Sequence, residues 1–390
     1  MQSMATVKAG AQAASKIEDA EPFVGFQVDP DLHNGRRIRG RGTRSNQSGR
    51  FEPYSREPVD DGWETSGFEE DPLPPLRTEV QEEKSRTVIT RNESPDIPFD
   101  RSINPYRGCE HGCVYCFARP SHAYMGLSAG LDFETKLFAK PDVARQLKKE
   151  LSASGYRPRP IAIGTNTDPY QPIERQYRLM PDILDVLNET GHPVGIVTKS
   201  ALILRDLDRL KVLNERNLVK VAISVTTLDN RLSRAMEPRA AAPQRRLETI
   251  KRLTEAGIPT SVLVAPVIPA LNDEELEKIL QAAHEAGARE AGTILLRLPN
   301  EVSGLFQDWL LHHYPDRYRH VMNNLRAMRG GKDYDSRMGH RARGTGPYAE
   351  ILHKRMDVAC RKIGFSTRRT RLSLAHFVKP AENEAQLSLF

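Results

Sequence analysis

Short apolar segments alternate with amphipathic ones between residues 100 and 300. The apolar runs predict buried strands, and the segments between them carry the three- and four-residue apolar spacing of helices. Strands that alternate with helices form a parallel sheet, and right-handed crossovers curl that sheet. The pattern therefore predicts an α/β domain over residues 96–300 with six parallel strands. The predicted strands are 102–106, 160–164, 193–198, 218–225, 260–265 and 292–298, and the predicted helices are 180–189, 202–213, 243–256 and 273–286.

The pattern changes before this domain. Residues 1–95 lack sustained apolar periodicity, because 31–50 is rich in Gly and Arg and 57–83 is acidic and rich in Pro. Such a chain buries too little apolar surface to fold alone, so we expect residues 1–95 to be a largely disordered extension. The Gly/Arg stretch is compatible with contact to nucleic acid and equally with a flexible tail.

Residues 301–378 are predicted to form a basic helical region that covers one mouth of the curled sheet or extends beside it. Between residues 317 and 371 there are fifteen Lys and Arg against four Asp and Glu, whereas the whole chain has a net charge of +6. A local positive surplus of this size favours a polyanionic partner such as nucleic acid. A solvated helical face that is basic by chance is the alternative. The predicted helices are 305–313, 317–328 and 348–362.

Composition limits where the protein works. The 390 residues contain no apolar run of about 18, the length that spans a bilayer, and the N-terminus lacks the apolar core of a secretory signal. Four cysteines, three of them clustered, do not make a disulfide framework, which favours a reducing compartment. We therefore expect a cytoplasmic protein without membrane association.

Cys109, Cys113 and Cys116 share one eight-residue window with the spacing C-x3-C-x2-C. Four-iron clusters are usually held by four cysteines, so three leave one iron open for chemistry. The alternatives are a zinc site completed by His111 and a chance cluster. Structural zinc usually pairs two separated knuckles, and no second knuckle follows. The remaining Cys360 lies in the last predicted helix, where we expect a small apolar role.

The cysteine spacing, with Tyr115 and Phe117 on either side of Cys116, resembles the signature of the radical S-adenosylmethionine (SAM) enzymes. The resemblance implies a partial (β/α)6 barrel carrying a [4Fe-4S] cluster whose open iron is chelated by SAM. It also implies an external electron donor, whose electron cleaves SAM to a 5′-deoxyadenosyl radical. The fold class is thus a partial radical SAM barrel with a disordered N-terminal extension and a basic helical C-terminal region.

Polar side chains follow successive predicted strands. Asn166 and Asp168 follow the second strand, Lys199 follows the third, and Ser224 lies near the end of the fourth. The carboxyl ends of parallel strands share one edge of the sheet, which carries the active residues of such barrels. An ammonium there can pair with the SAM carboxylate. These four side chains are therefore candidate SAM contacts.

The barrel portion resembles the spore photoproduct lyase-like branch of the radical SAM proteins. By that resemblance Lys199 and Ser224 contact SAM, and Tyr115 and Phe117 flank its adenine. The lyase itself reverses a thymine dimer in DNA by hydrogen abstraction and return. The matching stretches are 104–109 with its two further cysteines, 165–168, 198–199, Ser224, 237–239 with Arg246, and 265–269.

One departure limits this resemblance. The lyase carries a hydrogen-donor cysteine on the loop after its second strand, and residues 164–168 contain none. The radical-generating half of the chemistry carries over, whereas the substrate and the catalytic residue that serves it do not. The chain is therefore expected to be related to the lyase without being the lyase.

The chain ends Gln386-Leu387-Ser388-Leu389-Phe390 after a polar spacer, which predicts a flexible tail over residues 379–390. The ending resembles the peptide by which bacterial polymerases and repair proteins bind the DNA sliding clamp. Leu387, Leu389 and Phe390 suit an apolar groove, Gln386 fixes the register, and the spacer supplies reach. The alternative is an apolar terminus that packs on its own domain.

Three functions remain open from the sequence. The leading hypothesis is a radical SAM enzyme, of lyase or DNA-repair type, that acts on nucleic acid. The second is a radical SAM enzyme that modifies a protein or a small molecule. The third is a non-catalytic iron–sulfur module docked to the replication machinery.

Overall fold

The computed structural model describes residues 40–51 and 76–380. Its centre is a seven-stranded sheet in which six strands run parallel. Each of the six parallel strands is connected to the next along the chain through one or more helices. The seventh strand, at one edge of the sheet, is antiparallel to its neighbour. The sheet contains β2 (Ile89–Arg91), β3 (Arg101–Ile103), β6 (Ile161–Ile163), β7 (Val194–Thr198), β8 (Val219–Ser224), β9 (Thr260–Val267) and β10 (Glu290–Leu295).

The strand order is β10-β9-β8-β7-β6-β3-β2, with β2 antiparallel to β3. All six predicted parallel strands are present, with ends that differ by a few residues. In the described chain the two outermost strands, β10 and β2, do not pair with each other, so the sheet is an open, partial barrel. The predicted fold class is confirmed. A second, three-stranded sheet has the order β1-β5-β4 and contains β1 (Glu79–Glu82), β4 (Tyr106–Arg107) and β5 (Lys136–Ala139).

The helices cover the sheet with their apolar faces. In α4 (Leu179–Glu189), Ile183, Leu184 and Leu187 are fully buried, while the polar side of the helix faces outward. The other barrel helices are α2 (Val143–Ser152), α5 (Leu207–Glu215), α7 (Pro243–Glu255) and α8 (Leu276–Glu285), with the short α1 (Asp132–Thr135), α3 (Glu174–Tyr177) and α6 (Asn230–Met236) in connecting segments.

Three further helices follow the last strand, as predicted: α9 (Glu301–His313), α10 (Pro315–Ala327) and α11 (Pro347–Ile363). The loop between α10 and α11 contacts both edges of the open sheet. Leu295 N in β10 donates to Ala342 O at 3.0 Å, and Arg341 pairs with Asp96 in the hairpin between β2 and β3. The C-terminal region therefore lies beside the barrel and bridges its two edges.

Beyond α11 the chain runs back across the amino-terminal ends of the strands. Ser373 N donates to Asn217 O before β8, and Val378 N donates to Thr190 O before β7, both at 2.9 Å. Phe377 packs at 5.4 Å, between ring centroids, against His192. Residue 380 is thus left at the end of the barrel opposite to the cysteine loop that follows β3.

The prediction for the N-terminal extension differs from the structure in part. Residues 40–51 and 76–95 belong to the fold: Arg41 and Thr43 are buried, and β1 and β2 pair with β5 and β3. Hydrogen bonds to partners distant in sequence order these residues, and apolar periodicity does not report such bonds. The rest of the predicted extension, 1–39 and 52–75, lies outside the described residues. Within the described chain, no helix has the length and apolar character needed to cross a membrane.

Candidate active site

The cysteine loop leaves the carboxyl end of β3. Cys109 and Cys113 are buried and Cys116 is partly buried. Successive tight turns fold the loop, because Gly112 N donates to Cys109 O and Cys116 N donates to Cys113 O, at 3.3 and 3.1 Å. Cys113 and Cys116 lie close enough to Cys109 to contribute to the raised pKa of its thiol, and Cys116 does the same for Cys113. The fold therefore gathers the three predicted ligands at the strand edge where barrel active sites lie.

The geometry of the loop differs from that of a zinc site. Thiolates at about 2.3 Å from one tetrahedral ion lie about 3.8 Å from each other. In the part of the chain that the structure describes, no three His, Cys, Asp or Glu side chains are gathered closely enough to hold one ion. His111, which would be the fourth ligand of the alternative zinc site, turns its Nδ1 to Asp168 at 3.4 Å. Three cysteines on one loop supply the thiolate donors that a four-iron cluster takes, so the donor set fits a cluster.

Burial governs the ionisation of the thiols. It raises the pKa of Cys113 to about 12, against a smaller lowering by the Lys199 ammonium. Burial also raises the pKa of Cys109 well above its ordinary value. Thiolates at these positions therefore need a nearby positive charge, which bound iron supplies.

Asp168 joins the cysteine loop to two strand ends. Its carboxylate accepts hydrogen bonds from Thr198 Oγ1 at 2.7 Å and Lys199 N at 2.8 Å, and it contacts His111 on the cysteine loop. Burial opposes ionisation of Asp168, but His111 and these donors outweigh it and lower the pKa to about 2. The side chain predicted to contact SAM is thus engaged within the protein, where it positions Lys199.

A second buried network holds the side chain of Tyr115 on the cysteine loop. Glu237 accepts hydrogen bonds from Tyr115 Oη and from Thr226 Oγ1, the latter at 2.7 Å, and pairs with Arg246. Burial opposes ionisation of Glu237, but Arg246 and Lys199 outweigh it and lower its pKa to about 2. The hydroxyl end of Tyr115 is therefore fixed in the core beside Cys113.

The other predicted SAM contacts lie around the same mouth. The Lys199 ammonium sits 5.8 Å from the centre of the Tyr115 ring. Ser224 is buried at the end of β8 and donates to Ala265 O at 3.1 Å, and Asn166 is exposed. The structure therefore brings Lys199 and Tyr115 together, places Asn166 at the surface of the mouth and engages the Ser224 hydroxyl with the backbone.

Phe117 has a different environment from Tyr115. Phe117 is 42% exposed, and the Arg297 guanidinium lies 4.9 Å from the centre of its ring. Arg297 follows β10, whereas Phe117 follows the cysteine loop after β3. This cation–π contact thus connects the two ends of the parallel sheet across the open side of the barrel.

Several residues that hold the cysteine loop were missed by sequence reasoning. Arg119 and Glu134 form a fully buried ion pair at 2.6 Å, and Arg119 also donates to Cys113 O at 2.9 Å. Gln171 accepts from Glu110 N at 2.8 Å and donates to Gly108 O at 3.2 Å. None belongs to a recognisable motif; only the spatial neighbourhood of these charged and amide side chains shows their role.

The predicted basic region is partly neutralised. Arg355 pairs with Glu277 at 2.7 Å, Arg341 pairs with Asp96, and Arg329 is buried. Ten exposed Lys and Arg side chains of residues 317–371 make no ion pair within the described chain: Arg317, Arg319, Lys332, Arg343, Lys354, Arg361, Lys362, Arg368, Arg369 and Arg371. Cys360 lies half-buried in α11, 3.9 Å from Met356 Sδ. The predicted clamp-binding residues 386–390 lie outside the described residues.

A partial barrel of six parallel strands with three cysteines on the loop after its first parallel strand defines a radical SAM fold. The sequence pattern of the radical SAM superfamily matches residues 103–283, and this chain belongs to that superfamily. Its cofactors are those of the superfamily, a [4Fe-4S] cluster and S-adenosylmethionine.

Individual relatives support the assignment. An uncharacterised protein of Mycobacterium tuberculosis is 40% identical over 230 residues, covering 58% of this chain and 68% of that protein. A protein of Pseudomonas phage M6, named radical SAM Nalpha-GlyT isomerase, is 28% identical over 170 residues, covering 43% of this chain and 33% of the relative. A spore photoproduct lyase variant, solved with bound AdoMet and dinucleoside spore photoproduct, has a TM-score of 0.54 at 14% identity and covers 73% of this chain and 80% of its own. That structure shows the fold.

Proposed function

We propose that this radical SAM enzyme acts on nucleic acid, in a repair or modification reaction. The observation that carries the proposal is the set of ten exposed cationic side chains in the C-terminal region that make no ion pair with the residues the structure describes. Exposed Lys and Arg side chains without a carboxylate partner can bind the phosphates of a nucleic acid. The similar fold of a lyase solved with a dinucleoside photoproduct is compatible with this substrate class.

The chain's own residues divide the work at the mouth of the barrel. When bound, the cluster and SAM supply a reductive cleavage that starts radical chemistry. Cys109, Cys113 and Cys116 hold the cluster in this proposal. Lys199 pairs with the SAM carboxylate, Tyr115 and Phe117 border the adenine, and Ser224 and Asn166 line the same mouth. Asp168 acts one step removed, because its carboxylate fixes the backbone of Lys199.

Anaerobic reconstitution of the cluster tests whether this protein is a radical SAM enzyme that cleaves SAM. The cluster-loaded protein is mixed with SAM and dithionite, and 5′-deoxyadenosine is measured against Cys113→Ala. We expect product only with the intact cysteines, and a higher yield with one member of a panel of damaged DNA and RNA oligonucleotides. If no product forms above the Cys113→Ala control, the enzyme hypothesis is refuted and the non-catalytic iron–sulfur module is favoured. Product that no nucleic acid alters would favour a protein or small-molecule substrate.

Salt-dependent binding tests the nucleic-acid surface. The variant Arg368→Gln/Arg369→Gln/Arg371→Gln removes three exposed charges, and Arg145→Gln/Lys211→Gln/Lys251→Gln removes three paired charges on barrel helices. Each neutralised phosphate contributes about 0.9 to the slope of log affinity against log salt. We expect the first variant to lower that slope by up to about 3 and the second to leave it near the wild-type value. Equal slopes for the two variants would contradict the assignment of this surface.

We further propose that the C-terminal tail binds a bacterial DNA sliding clamp through Gln386, Leu387, Leu389 and Phe390. The tail follows residue 380, which lies at the end of the barrel opposite to the cysteine loop. A clamp bound to the tail would therefore leave the mouth of the barrel, where the cysteine loop lies, accessible. Binding of the full chain to purified clamp is compared with Leu389→Ala/Phe390→Ala and with the control Asn383→Ala/Glu384→Ala. We expect only the first variant to lose binding, and unchanged binding would refute the proposal.

A further inference from the structure

Residues 41–51, here called the N-terminal strap, lie along the segment that backs the cysteine loop. Leu131 N donates to Ser45 O at 3.2 Å, and Asn46 exchanges two hydrogen bonds with Asp132, at 2.9 and 3.0 Å. At its far end Arg50 pairs with Glu301, the first residue of α9, at 2.5 Å. The strap therefore joins the cluster side of the barrel to the C-terminal helices.

The start of the strap saturates one buried carboxylate. Glu134 is fully buried and accepts from Gly42 N at 2.9 Å, from Thr43 N at 3.0 Å and from Thr43 Oγ1 at 3.1 Å. Arg119 supplies the fourth donor at 2.6 Å. Three of the four hydrogen bonds to this carboxylate thus come from two residues of the strap. A buried carboxylate that loses such donors is left with uncompensated charge.

Arg119 connects Glu134 to the cysteine loop through hydrogen bonds. Its guanidinium donates to Cys113 O at 2.9 Å and to Gly112 O at 3.2 Å, both on the cysteine loop. Glu134 holds the guanidinium in that orientation. The order of contacts is therefore strap, Glu134, Arg119 and then the carbonyl of a cluster ligand.

The strap also touches the cysteine loop directly. A Cβ added at Gly42 would lie 1.7 Å from Gly112 O, and one added at Gly112 would lie 2.7 Å from Glu134 Oε2. Gly112 also has a φ of +65°, a conformation that favours glycine. Only a residue without a side chain can stand at position 42 beside the turn between Cys109 and Cys113.

Glu110, which follows Cys109 in the cysteine loop, is also connected to the strap. Arg41 donates to Thr78 Oγ1 at 3.1 Å, and Thr78 donates to Glu110 Oε1 at 2.6 Å, next to Cys109. Arg41 also donates to Glu134 O at 2.8 Å. Both halves of the Cys109–Cys113 turn are therefore connected to strap residues.

We infer that Arg41, Gly42 and Thr43 are positioning residues for the iron–sulfur cluster. They hold the cysteine loop in the conformation that presents its three thiols together, and they do so through Glu134 and Arg119. A segment of the Gly/Arg-rich sequence is thus part of the cofactor site. These three residues would have this role whatever the substrate of the enzyme is.

Two pairs of full-length variants test it. Gly42→Ala places a methyl group on Gly112 O, whereas the control Gly155→Ala meets nothing within 4 Å. Thr43→Val removes the hydroxyl that binds Glu134, and Thr43→Ser keeps it. The measurements are iron and sulfide per chain after anaerobic reconstitution, the EPR spectrum of the reduced cluster, and the rate at which a chelator removes iron. Far-UV circular dichroism of each variant separates loss of the cluster from loss of the fold.

We expect Gly42→Ala to hold less iron than Gly155→Ala. Thr43→Val is expected to lose iron to the chelator about tenfold faster than the wild type, and Thr43→Ser to restore the wild-type rate, because the lost hydrogen bond is to a charged group. Wild-type iron content, EPR spectrum and release rate in both Gly42→Ala and Thr43→Val would overturn the inference. So would equal release rates in Thr43→Val and Thr43→Ser.

Discussion

Replacement of Arg246 by Met is expected to destabilise the cluster-free protein strongly. Arg246 is buried, pairs with Glu237 and donates to Ser224 O at 3.1 Å. The pKa of Glu237 falls from 4.5 to about 2 in the folded protein. At 1.36 kcal/mol for each pH unit, this corresponds to about 3 kcal/mol of favourable interaction. Arg246→Met leaves that carboxylate buried and unpaired, so the expected cost is about 3–5 kcal/mol.

Urea unfolding of the cluster-free protein under reducing conditions, followed by circular dichroism, measures this cost. Arg209→Met is the matched control, because Arg209 and Asp185 form an exposed pair at 2.7 Å that is worth about 1 kcal/mol or less. The double variant Glu237→Gln/Arg246→Met carries no unpaired charge. We therefore expect it to unfold at higher urea than Arg246→Met.

The same pair predicts a dependence on pH. The folded-state pKa of Glu237 lies below its unfolded value, so its contribution is present above pH 4.5 and is lost as the pH falls towards 2. The deficit of Arg246→Met is therefore expected to be full at pH 7 and to shrink as the pH falls from 4.5 towards 2. A deficit no larger than that of Arg209→Met, or a double variant no more stable than Arg246→Met, would refute the electrostatic reasoning.

Three other outcomes are expected. Lys199→Met should load iron like the wild type but lose the change that SAM causes in the EPR spectrum, with partial recovery in Lys199→Arg; an unchanged SAM titration would contradict the assigned role. Burial lowers the pKa of His192 from 6.5 to about 4, so its contribution to stability is present above pH 6.5 and is lost as the pH falls towards 4. His192→Gln should weaken this pH dependence in urea unfolding, and an equal slope would argue against it. Phe377→Ala should free the segment after α11, so that limited proteolysis near residues 368–379 is faster than in the wild type at equal global stability.

The sequence determined the parts of this protein that are encoded locally. Five of the six parallel strands contain a short apolar run between helical segments, so periodicity predicted them, whereas β3 reads Arg101-Ser102-Ile103 and has no such run. The cysteine spacing is also local, and it predicted the cluster site without any knowledge of the fold. Lys199 was predicted to contact SAM from its strand end and Tyr115 from the resemblance to radical SAM enzymes, and the structure places the Lys199 ammonium 5.8 Å from the centre of the Tyr115 ring.

Tertiary structure decided what the local pattern could not express. Glu134 binds residues more than 90 positions earlier in the chain, across a segment that has no apolar periodicity. The roles of Gly42, Thr43 and Arg119 depend on that distant carboxylate, and a charged or small residue carries no mark of its partner in the sequence. Asp168, read as a ligand contact, became a positioning residue because its donors come from two other segments. The spacing of the cysteines predicted the cluster, whereas the residues that hold the cysteine loop are recognised only by the hydrogen bonds that form when the chain folds.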